Sequence, residues 1–134
     1  MTAPFHVSDL AEHRLTLALP LVRITWPEMD LAAWQEFARS IRDQGGGFLA
    51  IEEGDYICGV LAYRLSGPVL SVPLFVVADL ANRPGLGEAL IDAVEALADR
   101  FGCGSVQLDN GAMKAWLRRN ERLRQKYSRR PEPS

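Results

Sequence analysis

With only two cysteines and two histidines in 134 residues, the chain has little material for metal or disulfide chemistry. Cys58 falls in a strand-like run and Cys103 between two glycines. They are too far apart in sequence to suggest a disulfide framework or a metal site, and both read as reduced packing residues. His6 and His13 flank a polar segment with no partner visible in sequence. Long hydrophobic runs are also missing, since no apolar stretch approaches the roughly 20 residues that a membrane-crossing helix requires. The N-terminus lacks the basic start, apolar run and small-residue cleavage site of a secretory signal. These absences lead to the expectation of a cytoplasmic protein with no membrane contact and no metal.

What is present suits a globular unit: 48% hydrophobic and 24% charged residues are ordinary for a soluble domain. The length leaves no room for a second core, so the expectation is one domain over residues 1–130 followed by a short disordered tail at 131–134. The first 45 residues read as helical and stop at Gly45-Gly46-Gly47, a strong breaker. In the clearer helix Asp30 is the N-cap, and Leu31, Trp34, Phe37, Ala38 and Ile41 form the apolar face. Leu15 to Ile24 has strand-like composition, yet Pro20 and the paired apolar residues suit a helix restarting at the proline.

After the glycines, Phe48 to Ile51 and Tyr56 to Leu65 read as two strands joined by the acidic turn Glu52-Glu53-Gly54-Asp55. Gly67-Pro68 turns the chain into a third strand, Val69 to Val77. Within it Pro73 removes a ladder donor and implies an edge, a bulge or a splayed pairing. Ser105 to Asp109 is the next strand, reached by a right-handed crossover, and Asn110-Gly111 leads to a final helix.

The most informative stretch joins the third strand to the long helix. From Leu86 onward Leu86, Ala89, Leu90, Ala93, Val94, Leu97, Ala98 and Phe101 recur at spacings of three and four, which describes one buried helix face. Gly85 and Gly87 stand in the first turn, where backbone N–H groups lack helical partners and the helix dipole is positive. Such a start suits an anion, and bare glycines admit it to the backbone. Pro84, with no N–H, donates nothing.

This junction resembles the cofactor signature of the GNAT superfamily of N-acetyltransferases, which runs from a strand-end valine to Gln/Arg-x-x-Gly-x-Gly/Ala. Val77 matches the valine, Gly85 and Gly87 the two small positions, and Asn82 departs from the usual Gln/Arg, with Arg83 beside it. The resemblance covers roughly residues 30 to 120. It implies a mixed α/β (α+β) fold, with a central, mostly antiparallel mixed sheet flanked by helices. The first strand would lie near Phe5 to Val7, before two helices. It further implies acetyl-coenzyme A as co-substrate. The loop residues Asn82, Arg83, Gly85, Leu86, Gly87 and Glu88 would sit at its pyrophosphate. Phe75, Val76 and Val77 would bond its pantetheine arm in the manner of an added strand, and Asn110 would touch it from the next strand.

Two departures accompany the resemblance. The family usually continues into two more strands, which this sequence lacks after Asn120, so the expected fold is truncated at its C-terminus. The chemistry also needs a base for the acceptor amine and an acid for the leaving thiolate. Yet Val69 to Val77 carries no carboxylate, and Trp116 and Leu117 stand where relatives place a tyrosine. Glu52, Glu53, Asp55, Tyr63 and Tyr127 earn no direct assignment, so the catalytic residues stay unnamed.

Residues 114 to 130 hold eight basic side chains against Glu121 alone, while residues 1 to 113 hold seven basic and fifteen acidic ones. The basic helix suits an acidic partner, nucleic acid, a phosphate of coenzyme A, or solvent. The open strand edge is compatible with a homodimer. Three functions therefore stand open: an N-acetyltransferase acting on a small-molecule or peptide amine, a catalytically silent relative serving as a binding or assembly module, and a nucleic-acid-binding α/β protein.

Overall fold

A computed structural model describes residues 6–53, 56–78, 85–109, 111, 115, 117 and 118. Their elements run β1 (Val7–Asp9), a 3₁₀ segment (Glu12–Ala18), α1 (Leu19–Thr25), α2 (Leu31–Asp43), β2 (Gly47–Glu53), β3 (Tyr56–Ser66), β4 (Val69–Val77), α3 (Gly85–Phe101) and β5 (Ser105–Leu108). The five strands form one sheet in sequential order, antiparallel from β1 to β4 and parallel between β4 and β5. This is the mixed, mostly antiparallel α/β arrangement expected. The first strand lies at Val7–Asp9, in register against Leu49 to Ile51, while Phe5, where it was expected to begin, lies outside the described residues.

Local chemistry accounts for the helix boundaries. Pro20 occupies the first turn of α1, where a missing N–H costs nothing, and the helical reading of Leu15 to Ile24 holds, in part as 3₁₀. The Asp30 carboxylate accepts from the Ala33 amide at 2.8 Å and caps α2. At the other end Gly45, at φ 74°, lets the Gly46 amide reach back to the Ile41 carbonyl and the Gly45 amide to Arg42. That double bond closes the helix. Gly102, also at φ 74°, ends α3 in the same manner, with the Cys103 amide donating to Ala98.

Two helical layers cover the two sheet faces. On one, Trp34, Phe37 and Ile41 of α2 and Leu21 and Val22 of α1 pack with Phe48, Ala50, Val60, Ala62, Leu74 and Val76. The Trp34 indole N–H donates to the Leu15 carbonyl at 2.7 Å, satisfying the one polar atom of a fully buried ring and tying the 3₁₀ segment to α2. On the opposite face Leu86, Leu90, Val94, Leu97 and Ala98 of α3 pack on Leu49, Ile51, Leu61, Leu70 and Val72. Fully burying each such leucine contributes about 1.5–3 kcal/mol. Leu31 and Phe101 depart from the expected apolar stripes, each being 47% exposed. Each is the terminal residue of its helix, where the stripe runs past the sheet.

Candidate functional site

The register of β4 is where the fold opens. Ala62 stands opposite Leu74 and Arg64 opposite Ser71, so one residue of β3, Tyr63, faces two of β4, Val72 and Pro73. This is a β-bulge, and it reverses the alternation of the strand. Leu70 and Val72 point to α3, whereas Leu74 and Val76 point to the α1/α2 layer. Pairing with β5 stops at the same place: Val72 opposite Leu108 is the last register pair, closed by the Asp109 amide donating to the Val72 carbonyl at 2.9 Å. The irregularity that Pro73 signals in the sequence is thus a bulge, and the described pairing with β5 ends beside it.

Beyond the fork, β4 keeps its partner on one side alone. The Ala78 amide donates to the Cys58 carbonyl of β3 at 2.8 Å. By strand alternation Val76 turns its backbone to β3 as well, while Phe75 and Val77 turn theirs away, toward the side β5 has left. Among the described residues these groups have no backbone partner, which leaves a slot along β4. Val76 contributes a buried side chain to the α1/α2 core, at 4% exposure.

The start of α3 faces this slot. Leu86 is fully buried and anchors the helix. Gly87 packs on Phe75: a Cβ added there would lie 3.6 Å from the ring, an ordinary contact, so the close approach of helix to strand depends on a small residue at this position. Glu88 is exposed. Among the described residues α3 begins at Gly85, so the amides of Gly85 to Glu88 stand in its first turn, at the positive end of the dipole. Gly59 on β3 completes the close packing, since its bare Cα admits Leu90 of α3 and Val77 of β4. An extended arm that bonds backbone, ending in a phosphate, fits this combination of open strand edge and bare helix start. Asn82, Arg83 and Asn110 lie outside the described residues, as do most of the basic positions after Lys114.

Of the titratable groups considered for catalysis, Asp55 and Tyr127 lie outside the described residues. Glu52 pairs with Arg14 near the 3₁₀ segment. Tyr63 is buried on the α3 face beside Phe101, at the end of α3 opposite its glycines, and its phenol crowds Gly47. Burial first, then the charge of Asp9, raise its pKa above the ordinary 10.0, with Arg100 opposing. Cys58 is buried, its thiol against the Ile51 carbonyl, and Cys103 is half-buried.

A second group of side chains was not singled out by sequence reasoning. Arg64, Ser71 and Gln107 occupy one transverse row across β3, β4 and β5, and Arg64 reaches Asp109 at 3.4 Å. The only sequence signal was the polar alternation of Gln107 and Asp109 in a short strand. Assembling the row requires the register of three strands.

A family model described as the acetyltransferase (GNAT) family matches residues 11–120. None of the curated proteins matches the sequence. Among solved structures, an acetyltransferase of Trypanosoma brucei is 20% identical, with 97% of this chain and 95% of that one covered at a TM-score of 0.64. A transcriptional regulator from Bacillus halodurans is 18% identical over 89% and 91% of the two chains, also at 0.64. The PaiA N-acetyltransferase of Thermoplasma acidophilum, in complex with coenzyme A, is 12% identical over 90% and 89%, at 0.59. At these identities the likeness is one of fold.

Proposed function

The chain belongs to the acetyltransferase (GNAT) family, and from that premise we propose that it is an N-acetyltransferase that takes acetyl-coenzyme A as co-substrate and acetylates an amine. The observation that carries this reading is the fork between β4 and β5, set beside a glycine-bare helix start. Acetyl-coenzyme A, when bound, supplies an acyl group activated as a thioester, which the amine nitrogen takes as the carbon–sulfur bond breaks.

The geometry supports one set of residues to hold it. Phase by phase along the slot, Phe75 and Val77 would bond the pantetheine arm through backbone groups that β5 leaves free, and the amides of Gly85 to Glu88 would receive the pyrophosphate. Gly87 keeps the passage beside Phe75 open. Asn82, Arg83 and Asn110 complete the proposed set from the sequence pattern. Fixing the thioester at the fork contributes to rate by orientation, which in favourable cases supplies about 7–11 kcal/mol of a barrier.

Calorimetric titration with acetyl-coenzyme A, alongside a Gly87→Trp variant, tests the reading. Micromolar binding by the natural chain and its loss in the variant are expected. No binding at millimolar ligand would sink it. A catalytically silent role as a binding module is favoured by one observation: β4 carries no carboxylate, and the Tyr63 side chain is buried on the α3 face beside Phe101. Cofactor binding without transfer to any amine would support that second reading. Nucleic-acid binding through the basic residues after Lys114 predicts salt-sensitive retention on DNA or RNA.

A further inference from the structure

On one sheet face the row Arg64, Ser71, Gln107 lies between the row Ser66, Val69, Ser105 and the pair Ala62, Leu74. Directly opposed residues share a sheet face. Ser71 precedes the bulge and so points opposite to Leu70 and Val72, away from α3. Arg64, Gln107 and Asp109 therefore lie on the α1/α2 side of the sheet, one step from where β4 and β5 part. Ser71 is the one buried polar or charged residue among those described.

Asp109 occupies the fork itself. Its amide makes the last bond between β4 and β5. Its carboxylate is 43% exposed and meets Arg64 through Oδ2 at 3.4 Å, while Oδ1 has no hydrogen bond among the described residues. Arg64 is steadied from its other side by the Gln44 side-chain oxygen at 3.3 Å, at the end of α2. A contact this long between partly exposed groups adds little to stability. The fold therefore has no strong need of a carboxylate here. Its placement suits recognition: it offers a fixed negative charge at the inner end of the slot, on the sheet face that α3 does not cover.

The geometry points to Asp109 as the anchor for the incoming amine, its carboxylate holding the ammonium form of a cationic acceptor at the fork, with Ser71 and Gln107 lining the approach and Arg64 positioning the carboxylate. This assignment deepens the acetyltransferase reading and rests on it. It selects a class of acceptor, a cationic primary amine, over neutral or anionic nucleophiles.

Two coenzyme A thioethers of matched size separate the inference from the reading beneath it. S-(2-aminoethyl)-coenzyme A places a cation just past the sulfur, and S-propyl-coenzyme A places a methyl group there. Calorimetry on the full chain is expected to show both binding, the aminoethyl compound about fivefold tighter. Asp109→Asn should abolish the preference while binding the propyl compound as the natural chain does. Asp109→Ser serves the same purpose should the asparagine variant fold poorly. Equal affinities for the natural chain, or a preference that survives both substitutions, would overturn the anchor and leave the cofactor slot standing. Failure of either compound to bind the natural chain would overturn the slot and the anchor with it.

Discussion

Val69–Val72 and Pro73–Val77 belong to one strand, yet the first half is paired on both sides and the second on one. In the paired half, alternation sends Leu70 and Val72 to the α3 core, and the backbone is consumed by two neighbours. In the open half, Leu74 and Val76 fill the other core while Phe75 and Val77 turn their backbone away from β3. A single extra residue opposite Tyr63 separates the two. The bulge exchanges which face each residue serves, so both cores stay filled where the described ladder with β5 ends.

Removing the extra residue would break this division most severely. Deleting Pro73 turns Leu74 and Val76 toward α3 and Phe75 and Val77 toward α2, so a cooperative unfolding transition should disappear from denaturant melts. A native-like melt would show that β4 tolerates either register. Next in size, Leu70→Ala in the paired half should cost about 2–5 kcal/mol in urea unfolding, since the site is fully buried. Its affinity for acetyl-coenzyme A, measured on the folded fraction, should stay unchanged, because the paired half carries no binding group.

Gly87→Trp acts on the open half instead. Its side chain would displace Phe75, so acetyl-coenzyme A affinity should fall at least about tenfold for a stability loss of about 1–3 kcal/mol. Gly87→Ala is the sharper companion. A methyl at ordinary contact distance should retain binding and gain up to about 1 kcal/mol from helix propensity. A large loss of affinity in the alanine variant would show that the ligand touches the Gly87 Cα itself.

The smallest effect concerns Tyr63, the residue opposite the bulge. Its raised pKa means that the folded chain holds the phenolic proton more tightly than the unfolded chain. The stability linked to that proton is therefore complete below the ordinary value of 10.0 and drains away as pH climbs through the higher folded value. Tyr63→Phe should flatten this alkaline decline, read as urea midpoints on either side of pH 10.0. An unchanged decline would assign it to other groups.

Much of this arrangement was legible from local chemistry. Asp30 caps α2 as its side chain and position imply, Pro20 opens α1, the glycines after Gln44 end α2, and β4 has the bounds its composition suggests. These features depend on neighbours within a few residues, which sequence displays directly. Pro73 announced an irregularity but not its kind, since a bulge is defined by the partner strand. The glycine pair was recognisable because backbone access at a helix start depends on local residue types, whereas the row Arg64, Ser71, Gln107 was not, because its members come from three strands.

By itself, then, the sequence determined the elements, the glycine-bare start of α3 and the resemblance to a family, all of which follow from short-range sterics and hydrophobic period. Tertiary structure alone decided that the described pairing of β4 with β5 ends at Val72, that Phe75 and Val77 rather than Val76 turn their backbone away from β3, and that Asp109 stands at that end beside Arg64. Strand register decides these, and register is set by the simultaneous filling of two cores on opposite faces of one sheet.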